Sequence, residues 1–451
     1  MDSLPGLSHQ ASLLVYLAIA VGALVALIGP GKINAFVALT LVSLFVGICA
    51  GMSLTEVGTK FQDGVGTMLA SVAIVVGLGV MLGKLLAESG GAEIIARRLN
   101  DFFGPHHADW TMLIVAWIVG LPVFFTVGLV LLAPLAFSLA KQSQLPWARI
   151  AIPMLAGLSV AHGLVPPHPG PMAAVAALGA DPGKTILYSI ALGFPIAVLA
   201  GPLFAQWIAP RLPDDFRPPV LPEPNQTGRL LPGFFSSSLT MLCPVLLMLA
   251  STVATMQLPP ESGLLHVIQF LGHPAVAMLA AVLLAFYTFG YRLGLSRTEL
   301  LKRTEESLGP AALILLVVGA GGGFNRILIE SGVGSAISEL AQRARVSPLL
   351  LGWLLAAAIR VATGSATVAI TTAAGLVAPL AAAQPGTRPE LLVCAMGAGS
   401  LILSHLNDGG FWFVKEYLRM SVGQTLQIWT VMETVVAVAG LLLVLLFQAF
   451  F

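Results

Sequence analysis

Apolar stretches of about twenty residues recur along the chain and are separated by short polar breaks. Runs at 12–29, 33–51, 67–87, 186–208, 276–289 with its flanks, and 424–451 carry almost no charge. A helix of about 20 apolar residues crosses a hydrocarbon layer roughly 30 Å thick. None of these runs alternates with the period of a strand, and in lipid the backbone polar groups must be satisfied within the segment. The pattern predicts an all-α polytopic membrane protein. The stretch 210–232 is the most polar inside the chain, rich in Pro, Asp, Glu and Arg. It reads as part of a cytoplasmic linker, 210–238, between two transmembrane halves, 1–209 and 239–451.

The halves repeat one another. Val75-Val76-Gly77-Leu78-Gly79 returns as Val317-Val318-Gly319-Ala320-Gly321, and Leu86-Ala87-Glu88-Ser89-Gly90 as Leu328-Ile329-Glu330-Ser331-Gly332, with no gap between them. Downstream, the run from Gly128 to Leu135 resembles Gly375 to Leu380, and His162 then falls near His405. Three matches in one order point to a duplication. Each half reads as three spans, a polar amphipathic piece, a long apolar stretch, a broken helix and a last span. The long stretches, 110–140 and 348–383, fit two full crossings or one re-entrant hairpin. Gly120-Leu121-Pro122 and Gly364 interrupt them, and hairpins are the preferred reading, because a turn inside the bilayer is tolerated where it lines a cavity. Five crossings per half make the repeat inverted.

Charge then orients the chain. In this layout Lys32, Arg97, Arg98, Lys141, Arg149, Arg211, Arg217, Arg229, Arg292, Arg297, Lys302, Arg303, Lys415 and Arg419 share one side, while the other holds chiefly Lys60, Lys184, Arg343, Arg345 and Arg388. The positive-inside rule makes the first side cytoplasmic. Both termini are then expected in the periplasm. Counting each hairpin as two crossings leaves every side unchanged.

Composition sharpens this picture in two places. Of the 451 residues, 57% are hydrophobic and 10% charged, against about 25% charged in soluble domains. The net charge of +1 gives no basic footprint for nucleic acid. Cys49, Cys243 and Cys394 stand alone in apolar spans, with no metal or disulfide spacing. No cofactor or metal motif is present.

The candidate chemistry lies at four interruptions. In Ala161-His162-Gly163-Leu164-Val165-Pro166-Pro167-His168-Pro169-Gly170-Pro171, four prolines in six residues remove amide donors and free the preceding carbonyls. Such a segment in a membrane must face protein, water or ligand. The second, Ser404-His405-Leu406-Asn407-Asp408-Gly409-Gly410, holds a carboxylate, an imidazole and an amide, and on a helix His405 and Asp408 share a face. Its bland reading is a helix end capped by Asn407 and Asp408. The hairpin turns are the other two. Thr363, Ser365, Thr367, Thr371 and Thr372 cluster around Gly364, although such hydroxyls also bond back to the i−4 carbonyl. Phe124, Phe125 and Thr126 are their counterpart in the first half, the rings fitting core packing. Arg360 opens the second hairpin and either snorkels to the interface or meets an anion. Glu88 and Glu330 read as symmetric helix ends, and Glu433 as a scaffold group.

These motifs resemble the gluconate permease family of proton symporters over nearly the whole chain. The most specific parts are His162 through Pro171, Gly364-Ser365-Ala366-Thr367-Val368-Ala369, and Ser404-His405 through Asn407-Asp408 to Phe411-Trp412 and Lys415-Glu416-Tyr417. The resemblance implies a bacterial inner membrane and uptake of gluconate or a related acid, with D-serine or another small acid as the alternative. It also implies kinship with a broader group of transporters with inverted repeats, two re-entrant hairpins and dimeric elevator transport. Gly409-Gly410 departs from the Ser-Gly expected there. The expected substrate contacts are His162, Pro166, Pro167, His168, Phe125, Thr126, Thr363, Gly364, Ser365, Thr367, Asn407 and Arg360. The expected proton carriers are Asp408, His405 and His168. A channel would need a continuous polar pore rather than four clusters. An intramembrane metalloenzyme using His162, His168, His405 and Asp408 would lack any recognisable ligand spacing.

Overall fold

In a computed structural model, residues 7–28, 30–104, 107–212, 230–343, 346–384, 386–406 and 408–450 are described, and none of them forms a strand. The first half comprises α1 (His9–Ile28), α2 (Ala35–Cys49), α3 (Leu54–Ser89), α4 (Gly91–Phe103), α5 (Ala108–Gly120), α6 (Phe125–Ser143), α7 (Ala148–Leu164), α8 (Pro169–Leu178), α9 (Pro182–Val198) and, after one π-turn, α10 (Phe204–Ile208). The second comprises α11 (Phe234–Gln257), α12 (Gly263–Gly272), α13 (Pro274–Ala285), α14 (Arg297–Glu330), α15 (Val333–Arg343), α16 (Pro348–Thr363), α17 (Ala366–Ala383), α18 (Pro389–Gly399), α19 (Gly409–Tyr417), α20 (Val422–Thr425) and, after a π-turn, α21 (Val431–Phe450). Prolines open α8, α9, α13, α16 and α18, where the missing amide would have had no partner anyway.

Nine described helices or helix runs are long and apolar enough to cross a membrane. The departures from the expected layout are local. The run expected at 67–87 belongs to the 36-residue α3, roughly 54 Å long at 1.5 Å per residue. Its start is set by a capping box of Ser53 and Glu56. The N-terminal flank of the run at 276–289 is a separate helix, α12, divided from α13 at His273, because Pro274 forces extended backbone on the residue before it. α2 has only 15 residues. α11 already begins at Phe234, inside the expected linker; residues 213–229 of that linker lie outside the described residues.

The long helices α3 and α14 pack along each other. A Cβ on Gly64 would lie 2.5 Å from the Gly322 carbonyl oxygen, so glycine there is what lets the two backbones approach. Both helices begin with a Ser-x-x-Glu capping box, and both end at Glu-Ser-Gly. There Ser89 and Ser331 donate to the carbonyls of Leu86 and Leu328, and Gly90 and Gly332 take positive φ. Around α3 and α14 the chain builds two matching sets in one order: a short amphipathic helix, a helical hairpin, a broken helix and a long helix bent by a π-turn. α7 lies in the middle, buried along nearly its whole length. Its neighbour α5 is tied to it by an ion pair between the buried Asp109 and the half-buried Arg149.

Candidate substrate site at the helix breaks

The first broken helix stops at Leu164 and restarts at Pro169. Pro166, Pro167 and His168 are buried between the two pieces. His168 Nε2 lies 2.7 Å from the Gly120 carbonyl oxygen at the end of α5. A carbonyl only accepts, so Nε2 carries the proton. In the neutral ring Nδ1 is then an acceptor, and it faces His162 Nδ1 at 3.2 Å. Phe124, at the tip of the first hairpin, sets its ring edge against both imidazoles, with centroids 6.2 and 6.1 Å away. The first hairpin tip and the first break thus form one unit. Beside it lies a cavity of about 10 Å³, room for about one water, lined by residues that include Gly79, Pro122, Phe124, Pro167 and His168.

The second hairpin joins this unit from another direction. Ser365 is the N-cap of α17 and accepts from the Val368 amide at 3.3 Å. Gly364, at φ 72°, makes the turn. A Cβ on Gly170 would lie 2.9 Å from Ile370 and 3.9 Å from the Thr367 backbone. The start of α17 therefore lies against the start of α8. Helix N-termini carry unpaired amides and the positive end of the dipole; two meet here, although α8 offers only the Gly170 amide, since Pro169 and Pro171 have none. The hydroxyls of Thr363 and Thr371 are committed to the carbonyls of Ile359 and Thr367, at 2.8 and 2.7 Å.

The second break runs from Ser400 to Asp408. The two broken helices touch: a Cβ on Gly397 would lie 2.6 Å from the Gly163 carbonyl oxygen. Asp408 caps α19, its Oδ1 accepting from the Gly410 amide at 2.7 Å. Its Oδ2 receives both the Arg360 guanidinium and the Ser404 hydroxyl. Arg360 and Asp408 are both buried. Arg360 therefore does not snorkel; it enters the protein and pairs with Asp408. Its Nε is buried with no partner among the described residues.

The expected pairing of His405 with Asp408 on one helical face does not occur, because residues 400–406 are not helical. Instead His405 Nδ1 bonds the Leu403 carbonyl at 2.6 Å. Phe125 packs on Trp429 with centroids 5.0 Å apart. Thr126 is exposed on the first turn of α6, away from the buried bonds. Asn407 lies outside the described residues. Among the described residues no three metal-ligating side chains come together.

Residues near the π-turn before α21 were not singled out by motif. Trp429 donates to the Ser404 hydroxyl at 2.6 Å, and Thr430 donates to the Ser404 carbonyl. One turn further, Glu433 accepts from Ser159 of α7. The signal was a lone carboxylate inside an apolar terminal span, which in a membrane is a functional candidate by default.

A buried centre built from interrupted helices, inside an all-helical chain with this many apolar spans, defines a multi-pass membrane transport protein. The transporter YdaH of Alcanivorax borkumensis has a similar fold, with a TM-score of 0.68 at 17% identity over 92% of this chain and 98% of that one. The profile of the GntP family permeases matches residues 12–450. A gluconate permease of Pseudomonas aeruginosa is 46% identical over 98% of both chains. One from Zymomonas mobilis is also 46% identical, over 98% of this chain and 99% of its own. The chain belongs to the GntP family of permeases.

Proposed function

We propose that this permease takes up gluconate or a closely related sugar acid together with a proton across the bacterial inner membrane. The observation that carries the reading is the meeting of interrupted helices at one buried centre. That centre holds the start of α17, the buried Arg360 and the proline-broken segment at 165–168. A sugar acid presents a carboxylate and a row of hydroxyls. The N-terminus of α17, the single Gly170 amide of α8 and the free Nε of Arg360 suit the carboxylate. The carbonyls near Pro166 and Pro167, with His162 and His168, suit the hydroxyls. The names of the two relatives at 46% identity favour gluconate over D-serine.

The remaining parts of the proposal extend what the family resemblance and the internal repeat imply. The halves are inverted repeats, both hairpins are re-entrant, the termini are periplasmic, and a homodimer works by an elevator movement. The cavity of about 10 Å³ is far smaller than a six-carbon acid, so loading requires the hairpin tips and breaks to part.

The test is uptake into liposomes under an inward proton gradient, with gluconate, idonate, glucuronate, D-serine and citrate compared. Gluconate or a sugar acid should accumulate and compete best. Accumulation of D-serine alone would move the assignment to amino acids. Flux without saturation would argue for a channel.

A further inference from the structure

The buried centre contains two carboxylates, and they are treated very differently. Asp408 has both oxygens occupied, by Arg360, Ser404 and the Gly410 amide. Glu433 is 0% exposed, accepts one hydroxyl hydrogen bond from Ser159 at Oε1, and keeps Oε2 buried with no partner among the described residues. No cation lies within ion-pair distance of it among the described residues. An ionised carboxylate so placed costs several kcal/mol in effective desolvation, so its charge is conditional on its surroundings.

We propose that Glu433 carries the coupling proton, an inference that rests on the proton-symport reading above. Its position ties it to every moving part. Ser159 lies three residues before His162, so on α7 the two share a face. Trp429 and Thr430, one turn before Glu433, hold Ser404 of the second break, and Trp429 meets Phe125 of the first hairpin. Such π-turns recur at functional sites. The charged groups that act on Glu433 are Arg360 on α16 and Asp408 at the second break, with opposite sign. α9 and α18 meet α21 through apolar residues such as Ile196 and Ala398.

Charge counting gives the coupling. Arg360 and Asp408 together are neutral. An empty centre with Glu433 ionised carries one negative charge. Adding the substrate anion to that state would double it in a low-dielectric site. Adding a proton at Oε2 along with the anion leaves the net charge where it was. Anion and proton therefore load together and leave together, and the cycle moves no net charge.

The experiment compares wild type, Glu433→Gln and Glu433→Asp in proteoliposomes, reading gluconate accumulation under a pH gradient, gluconate counterflow, and gluconate-dependent proton flux with an entrapped pH dye. With one proton per substrate, one pH unit supports about tenfold accumulation in wild type. Glu433→Gln keeps an oxygen for Ser159 and should lose accumulation and proton flux while retaining counterflow. Glu433→Asp should retain some of all three. Wild-type accumulation in Glu433→Gln would overturn the assignment. Loss of counterflow in both variants would also overturn it, leaving Glu433 a scaffold group. Failure of the symport reading looks different: wild type would exchange gluconate but neither accumulate it nor move protons.

Discussion

Asp408→Asn removes the charge opposite Arg360 at almost constant volume, and the structure sets its consequence. Arg360 and Asp408 are both buried, and the guanidinium already leaves one donor, Nε, without a partner. Taking away the carboxylate strands the positive charge, which costs about 3–5 kcal/mol. Asparagine keeps one acceptor, its Oδ1 for the Gly410 amide, but sets its NH2 toward the Ser404 hydroxyl and Arg360, where an acceptor was needed. Arg360→Gln strands the carboxylate instead, but Ser404 and Gly410 still donate to it, so its loss falls near the low end of that range. Combining the two substitutions removes both charges and should recover much of the loss, because a buried pair replaced as a unit is often near neutral. The assay is a double-mutant cycle on unfolding midpoints in one detergent at one pH, with counterflow measured on the same preparations. The expected coupling is about 2–5 kcal/mol. If the two losses add within about 0.5 kcal/mol, the charges do not depend on each other and the pair is not the centre's main electrostatic contact.

Gly397→Ala should damage folding or transport by about 1–3 kcal/mol, since its Cβ would meet the Gly163 carbonyl and neither backbone can yield cheaply. Gly66→Ala is the control: nothing lies within 4 Å of that Cβ, and about 0.5–1 kcal/mol of helix stabilisation is expected from thermal melts. Ser365→Ala should cost about 1 kcal/mol through the lost cap of α17 and also weaken uptake at low gluconate; unchanged concentration dependence would make the turn purely structural. Thr126→Val, on the exposed first turn of α6, should leave the apparent gluconate affinity within about twofold, below 0.5 kcal/mol, and a larger change would return it to the site.

The helical class and the places of the four interruptions were legible in the sequence for local reasons. Apolar length sets a span, a Pro-Pro-His-Pro run breaks a helix, and the positive-φ glycines of Glu88-Ser89-Gly90 and Glu330-Ser331-Gly332 end α3 and α14. The Ser-x-x-Glu boxes at Ser53 and Ser296 were equally local, and they explain why α3 and α14 extend beyond their apolar cores. His168 was legible as a polar residue needing a partner; that the partner is the Gly120 carbonyl was not, because the two are 48 residues apart.

What tertiary structure alone decided is the pairing of groups that no spacing relates. The chain by itself determined that Arg360, Asp408, His405 and Glu433 would sit in or beside apolar segments, where each requires compensation. It could not say which compensates which. Local backbone at 400–406 removed the helical face that would have joined His405 to Asp408. Packing of α16 against the second break gave Asp408 to Arg360, and packing of α21 on α7 gave Glu433 Ser159 as its one hydrogen-bond partner among the described residues. A buried charge is governed by its nearest neighbours through a strongly distance-dependent interaction, and those neighbours are brought together only when the helices pack.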